Sequence, residues 1–377
     1  EPNNQLTHLT LSKAPDAFEI IDNSNFNDLK CLKHLDISGV KLKDNLLPDM
    51  FSELKQLETL KMVKTKLAAV QDLFIHVENL IELHFVGISI PKECSNIFVP
   101  LKSIQKLTIG ETKTLNYTAL GQVKNLRELE LSKYSTIKIG KSFFDNHPNL
   151  ESLVLSHLNT SINEYYIDMK AFAKLTTLKS LKVCDTNLNL EPDCAIFSLT
   201  NLETLDLSLS DRTKFMKREL KLNETTFKRT NKLKVLNLSG NHLKLEGDCF
   251  KHLTQLSELD LSNTILDSNK KDHDIFGSLK QLETFKFDGI QPCNSFKLYR
   301  LAELVNLKEL QLMIAPHDLQ TYRVMLRRTS ANANSTNDDL CYFIVRNMTK
   351  LTSLDLSDCH LNLISKAVSM IMCQLLI

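Results

Sequence analysis

The chain has 377 residues, with 46 lysines and arginines against 45 aspartates and glutamates, so its formal net charge is +1. This balance disfavours a dedicated nucleic-acid-binding protein, which usually carries a strong basic excess. The chain is longer than one ordinary hydrophobic core supports, so we expect either several domains or one array of repeats. The sequence also lacks an uninterrupted apolar run of the roughly 18–20 residues that a membrane-spanning helix needs.

A leucine pattern recurs along nearly the whole chain. Its clearest copy begins at Leu233 and reads LKVLNLSGNHL, which is LxxLxLxxNxL without a departure. Alternate residues of a strand point to opposite faces, so each copy predicts a short strand with inward leucines. Because one repeat cannot bury its leucines alone, we expect residues 1–377 to form a single solenoid of about fourteen repeats. The copies begin at Leu6, Leu32, Leu57, Leu80, Ile104, Leu126, Leu150, Leu178, Leu202, Leu233, Leu256, Leu282, Leu307 and Leu351.

A phenylalanine marks the second half of many repeats, with a leucine three positions later. Such a stripe is far more typical of a buried core than of a ligand-binding box, so we expect it to fill the convex side of the stack. The pairs are Phe26–Leu29, Phe51–Leu54, Phe98–Leu101, Phe172–Leu175, Phe250–Leu253 and Phe276–Leu279.

These motifs make almost the whole chain resemble the leucine-rich-repeat superfamily, and the Phe-x-x-Leu signature resembles the extracellular subclass found in Toll and Toll-like receptor ectodomains. The resemblance implies an α/β solenoid, a horseshoe with a parallel β-sheet on its concave face and irregular or short helical segments on its convex face. The sequence departs from the family at the asparagine of the motif, which is retained only at Asn241. We therefore expect no regular asparagine ladder, although Thr, Ser or Cys at this position can keep part of its hydrogen bonding.

No catalytic motif stands out in the repeats. The patterns GxSxG, HExxH, GxGxxG and the phosphate-binding loop are all missing from the sequence, and each encodes a specific chemistry. The eleven histidines are scattered among repeats, and no Cys-x-x-Cys pair occurs. We expect a non-catalytic protein without a metal or a cofactor.

The central outward residues of the predicted strands form a candidate ligand surface on the concave face. Their mixed signs do not give the continuous basic stripe that tracks a phosphate backbone. We therefore expect a protein or microbial ligand on the concave or lateral face and consider nucleic acid unlikely. The charged and histidine positions are Asp36, Lys61, His84, Glu130, Lys182, Asp206, Asp260 and Lys286.

Two segments interrupt the regular spacing. The first is basic, with Arg212, Lys214, Lys217 and Arg218, and is interpreted either as a lateral patch for an anionic partner or as a solvated loop. The second, residues 313–350, predicts an insertion loop within the solenoid. Its polar portion, residues 327–339, shows no apolar periodicity, a composition typical of a loop.

The sequence contains candidate sites for two secretory modifications. Asn-x-Ser/Thr sequons are acceptors for N-linked glycans. Of nine cysteines, Cys184 with Cys194 and Cys341 with Cys359 are candidate disulfide pairs, and reduced thiols are the alternative. The sequons begin at Asn116, Asn159, Asn223, Asn237, Asn334 and Asn347.

Two functions stay open at this point. The resemblance favours all or part of the ectodomain of a Toll-like innate immune receptor, extracellular or at the cell surface, able to form a homo- or heterodimer. Membrane attachment is then expected only through a segment beyond Ile377. The alternative is a cytoplasmic leucine-rich-repeat adaptor that holds a protein partner, such as a ubiquitin-ligase substrate receptor.

Overall fold

The computed structural model divides the chain into two compact units, unit 1 (residues 1–181) and unit 2 (residues 182–377), which are described separately. Both contain short strands joined by turns and a few helical segments. The structure describes residues 5–11, 26–40, 48–65, 72–88, 90, 92–111, 117–133, 139–158, 167–186, 188, 190–210, 219–268, 275–287, 291–292, 298–312 and 347–356.

Unit 1 is organised around parallel strands that pair in chain order. Their in-register partners place inward leucines side by side, for example Leu60, Leu83 and Leu107. A further strand, β8 (Ser180–Cys184), crosses the boundary between the units. The strands before it are β1 (His8–Thr10), β2 (His34–Asp36), β3 (Thr59–Val63), β4 (Glu82–Val86), β5 (Lys106–Gly110), β6 (Glu128–Ser132) and β7 (Ser152–Ser156).

Unit 2 contains the same kind of sheet and a second parallel sheet that the sequence analysis did not predict. The main sheet pairs β9, β11, β13, β15, β17 and β18, and the second pairs β10, β12, β14 and β16. The bounds are β9 (Thr204–Asp206), β10 (Glu219–Leu222), β11 (Val235–Asn237), β12 (His242–Leu245), β13 (Glu258–Asp260), β14 (Ile265–Ser268), β15 (Thr284–Phe287), β16 (Gln291–Pro292), β17 (Glu309–Leu312) and β18 (Ser353–Asp355).

The core of each unit consists of inward leucines and a layer of phenylalanines. Leu35, Leu153 and Leu236 are each at most 1% exposed. The rings of Phe26 and Phe51 lie 6.2 Å apart between centroids, and those of Phe250 and Phe276 lie 6.3 Å apart. The predicted solenoid fold and its phenylalanine core are confirmed. The helical turns that connect the strands are Pro48–Phe51, Lys92–Cys94, Tyr117–Leu120, Met169–Lys174, Ala195–Ser198 and Leu298–Glu303.

Polar side chains at the asparagine position of the motif bond to backbone carbonyls, and Asn241 and Thr65 reach back to the preceding repeat. Asn241 donates from Nδ2 to the carbonyls of Leu207 and Leu238 at 2.9 and 2.8 Å. Thr65 and Thr264, at the same motif position, donate from their hydroxyls to backbone carbonyls at 2.9 and 2.7 Å. Threonine therefore retains part of the hydrogen bonding, as expected from the sequence.

A second set of hydrogen bonds between repeats was not predicted. Its residue stands directly before the first leucine of a repeat and reaches back to the preceding turn. Asn125 donates to the carbonyl of Lys102 at 2.9 Å, and Asn306 donates to that of Lys280 at 2.7 Å. These bonds satisfy turn carbonyls that would otherwise depend on water.

Parts of the domain prediction fall outside the described residues. Residues 313–346, most of the predicted insertion, are among them, so the insertion loop and the single solenoid of about fourteen repeats stay predictions. Among the helices that the structure describes, none is both long and apolar enough to cross a bilayer.

Glycine is required at one turn by both conformation and space. Gly240 has a φ of +73°, and an added Cβ would collide with the carbonyl oxygen of Leu209. Gly39 occupies the same repeat position in unit 1 with a φ of +78°, and its Cβ would meet no atom within 4 Å. The two glycines separate the conformational cost of an alanine from its steric cost.

We predict that Gly39→Ala destabilises the protein by about 1 kcal/mol, the cost of a left-handed alanine. Gly240→Ala should lose a further ~1–3 kcal/mol because the backbone must move to relieve the collision. Urea unfolding followed by circular dichroism measures both. Equal losses would show that the contact with Leu209 carries no energy.

Candidate binding surface

The outward residues at the centre of each strand form an in-register line that we call the central row. In unit 1 it runs through Thr10, Asp36, Lys61, His84, Thr108, Glu130 and Val154. In unit 2 it runs through Asp206, Asn237, Asp260, Lys286, Gln311 and Asp355. Neighbouring members are separated by the strand spacing of about 4.8 Å.

The predicted ligand-surface residues all lie on strands and reach solvent. Lys61, Lys182 and Lys286 are exposed. The other five positions, Asp36, His84, Glu130, Asp206 and Asp260, are half-buried. The structure therefore places these side chains where a ligand could meet them, while ligand binding by each residue stays a prediction.

Charges beside the central row of unit 1 are neutralised by ion pairs between repeats. Lys33 lies 2.7 Å from Glu58, and Glu151 is shared by Arg127 and Lys179 at 2.7 and 2.6 Å. The hydrogen bond from Lys179 is the main cause that lowers the pKa of Glu151. Exposed pairs of this kind contribute little stability, but they leave little net charge for a ligand.

His84 belongs to a small ionic cluster on β4 and β5. Its Nε2 lies 2.7 Å from Oε1 of Glu82, and Nζ of Lys106 lies 3.1 Å from the same oxygen and 3.6 Å from Glu128. Burial raises the pKa of Glu82, but hydrogen bonds from His84 and Lys106 outweigh it, and the net shift is downward. Glu82 is therefore held as a carboxylate that fixes the imidazole of His84.

Three predicted ligand-surface aspartates also have a structural role. The Oδ1 atoms of Asp36, Asp206 and Asp260 accept the backbone N–H of the serine two residues later at 2.9, 3.0 and 2.9 Å. Asn237 makes the same 2.9 Å bond to the N–H of Ser239. These bonds turn the chain where each strand ends. The repeated tripeptide Asp/Asn-Leu/Ile-Ser was the sequence signal for this role.

Asp206 has an additional partner. Nζ of Lys182 lies 3.1 Å from its Oδ2, and this hydrogen bond raises the pKa of Lys182. These two predicted ligand residues therefore neutralise each other in unit 2.

Besides Asp36, whose carboxylate bonds to its own turn, two opposite charges stand on the central row of unit 1. Within the residues described, neither Lys61 nor Glu130 takes part in an ion pair. They stand on β3 and β6, three strand steps apart, which corresponds to about 14 Å. In unit 2, Lys286 likewise has no ion pair with a described residue.

Several predicted sites lie outside the described residues. They are the basic patch Arg212, Lys214, Lys217 and Arg218, the sequons at Asn116, Asn159 and Asn334, and the cysteines Cys341 and Cys359. Of the remaining sequons, Asn347 is exposed, while Asn223 and Asn237 are half-buried. Over the described part of the chain, no group of three or more His, Cys, Asp or Glu side chains is arranged to hold a metal ion.

The structure corrects the predicted bridge between Cys184 and Cys194, because both are free thiols. Cys184 ends β8, whereas Cys194 directly precedes the helical turn Ala195–Ser198, so separate elements hold the two sulfurs. Burial is the main cause that raises the pKa of each thiol to about 11. Both therefore stay protonated at neutral pH and are poor nucleophiles for disulfide exchange.

Comparison with known proteins agrees with this architecture. The "Leucine rich repeat" family matches residues 218–266, and the "BspA type Leucine rich repeat region" matches residues 92–213. Toll-like receptor 4 of Bos taurus is 26% identical over 363 residues, which cover 90% of this chain and 41% of the receptor. Toll-like receptor 4 of Sus scrofa is 27% identical over 302 residues, covering 72% of this chain and 35% of the receptor.

A structural neighbour shares the fold. The structure of the Drosophila Toll–Spatzle complex superposes with a TM-score of 0.62 at 21% identity, covering 89% of this chain and 42% of that one. The present chain therefore spans well under half the length of the receptors that it matches. The fold is that of leucine-rich-repeat proteins, and the chain resembles Toll-like receptor ectodomains.

We predict that Asp260→Ala destabilises unit 2 by about 1 kcal/mol because the N–H of Ser262 loses its acceptor. Asp260→Asn should retain the stability, since Asn237 shows that an amide oxygen makes the same bond. Thermal unfolding of the three proteins measures the difference. An Asp260→Asn variant as unstable as Asp260→Ala would show that charge, rather than the turn, explains the aspartate.

Proposed function

We propose, from its likeness to Toll-like receptor ectodomains, that this leucine-rich-repeat chain is part of the ectodomain of a Toll-like innate immune receptor. In this proposal it binds a protein or microbial ligand on the open face of the sheet. The observation that carries the proposal is the central row, an in-register line of outward side chains, most of them reaching solvent, on strands whose inward leucines are fully buried. A rigid strand presents a contact residue more reproducibly than a loop does.

The charges of unit 1 suggest how a ligand is oriented. Lys61 and Glu130 form no ion pair with described residues, so binding does not first have to break a salt bridge at either position. A ligand with an acidic group opposite Lys61 and a basic group opposite Glu130 would meet both at once. Between them lie His84 and Thr108, of which Thr108 is 7% exposed and offers little polar contact.

The same charges favour a ligand of mixed polarity over a nucleic acid. A phosphate backbone is recognised by several cations in succession, whereas the central row of unit 1 alternates Asp36, Lys61, His84 and Glu130. We propose that the receptor acts as a homo- or heterodimer at the cell surface.

A second candidate function is an intracellular adaptor that holds a protein partner. It is favoured by the free thiols Cys31, Cys94, Cys184, Cys194 and Cys249, since reduced cysteines are the rule in the cytosol. The observation is compatible with secretion as well, because burial raises the pKa of Cys249 and makes its thiol unreactive. Glycosylation separates the two functions.

We predict that secretory expression in mammalian cells adds glycans at Asn347, whose side chain is exposed, and at Asn223, whose side chain is half-buried. Asn237 should remain unmodified, since a glycan there would lie on the central row of unit 2. Endoglycosidase treatment and peptide mass mapping measure the occupancy. A secreted protein without glycan at any sequon would contradict the receptor proposal, and a glycan at Asn237 would argue against the sheet face of unit 2 as a ligand surface.

We predict that Lys61→Glu lowers the affinity for a protein ligand of the unmodified chain by roughly 10- to 100-fold, the equivalent of one lost charge-assisted contact. Lys102→Glu is the matched control, because Lys102 is an exposed lysine on a turn of the same unit with only a 3.9 Å contact to Glu78. Surface plasmon resonance measures both affinities. Equal effects of the two reversals would place the ligand elsewhere than on the central row.

A further inference from the structure

One turn of the phenylalanine core in unit 1 carries a histidine where its neighbours carry an apolar residue. The backbone N–H groups of Leu54 and Leu175 each donate to the phenylalanine three residues earlier, Phe51 and Phe172, at 3.0 Å. His147 makes the same bond to the carbonyl of Phe144 at 2.9 Å. The imidazole therefore occupies the place of the leucine in the Phe-x-x-Leu signature.

The imidazole of His147 is buried and incompletely bonded. The residue is 1% exposed, its Nε2 lies 3.3 Å from the carbonyl oxygen of Leu120, and its Nδ1 is buried without a hydrogen-bond partner. A neutral imidazole tolerates this environment because one ring nitrogen need not donate. A protonated ring has a second N–H that would find no acceptor and a charge that would be poorly solvated.

Among the described residues around this turn, no side chain is placed to compensate such a charge. Asp145, two residues before His147, pairs with Lys174 of the next repeat at 2.9 Å, and Asp168 accepts the backbone N–H of Lys170 at 2.9 Å. The pKa of His147 is lowered by burial, which the Leu120 carbonyl only partly opposes, and no charged group contributes. The ionisable side chains described on the elements around this turn are Lys124, Lys141, Asp145, Asp168, Lys170 and Lys174.

We propose that His147 is an acid-sensitive latch that opens the turn between Phe144 and Leu150 when its imidazole is protonated. The ring keeps its buried place only while neutral, so protonation favours an open turn in which it reaches water. This turn leads directly into β7, whose Val154 is the neighbour of Glu130 on the central row. Opening the latch would therefore loosen the support of one strand on the sheet face of unit 1.

The sign of the effect follows from the lowered pKa. In the closed turn, burial lowers the pKa of His147. In the open turn, the imidazole binds a proton with the ordinary histidine pKa of 6.5. Closure is therefore strongest above pH 6.5 and weakens as the pH falls toward the lower pKa of the closed state. Over that interval the opening equilibrium constant rises by up to about tenfold per pH unit.

Hydrogen exchange of the intact chain at pH 7.5 and 5.5, corrected for intrinsic exchange rates, tests the latch. In the unmodified protein we expect the amides of residues 144–150 to lose up to about tenfold of their protection at pH 5.5. His147→Leu, which restores the apolar residue of the neighbouring turns, should abolish that loss. His147→Gln, which is neutral at both pH values, should abolish it even if the overall protection is lower.

Thr230 offers a matched control in unit 2. It stands three residues after Phe227, is 0% exposed, and has a buried hydroxyl without a hydrogen-bond partner. Thr230→Val should increase protection of its own turn equally at both pH values, because no proton is involved. The proposal is overturned if His147→Leu and His147→Gln keep the pH-dependent loss of protection, or if the unmodified protein shows no such loss.

Discussion

The structure depends on one constraint, which is that no repeat can bury its own leucines. Each strand of the main sheet, three to five residues long, exposes apolar side chains that only the neighbouring strands can cover. In-register parallel pairing solves this by placing Leu60 beside Leu83 and Leu83 beside Leu107. Burial of one leucine contributes about 1.5–3 kcal/mol of stability. The rows of leucines therefore fix the register of the strands more strongly than the weak surface ion pairs do.

Fixing the register also fixes the order of the outward side chains. Once Leu60 faces Leu83, Lys61 must stand beside His84, whatever the interaction between those two. The surface chemistry is thus free to vary at little cost in stability, which is the property that a recognition module needs. Some of these surface residues serve the fold itself. Glu82, Glu151 and Asp206 bind cations of adjacent repeats, and Asp36 and Asp260 bond to the turns that follow their strands.

The sequence predicts the features that depend on apolar periodicity and misses those that depend on local polar contacts. The leucine and phenylalanine positions have one physically acceptable environment, so their spacing alone places Leu236 and Phe250 in the core. An asparagine such as Asn125 could face water equally well, and only the coordinates show its bond to Lys102. The second sheet of unit 2 was missed because its strands, Glu219–Leu222, His242–Leu245, Ile265–Ser268 and Gln291–Pro292, do not share one sequence motif. The candidate bridge between Cys184 and Cys194 was wrong because sequence separation says nothing about which elements hold the two sulfurs.

Polar residues in the phenylalanine core show how such a stack tolerates imperfect repeats. His147 and Thr230 each place an unpaired polar atom where leucine would pack, at a cost of about 1–3 kcal/mol. In a single compact core, two such defects would threaten a total stability of only ~5–15 kcal/mol. In a repeat array the cost falls on one interface between neighbouring repeats, and the other interfaces keep their stability. A buried histidine can therefore persist in the layer behind the sheet, where a change in pH acts on one turn while the leucine rows on either side hold the strands in register.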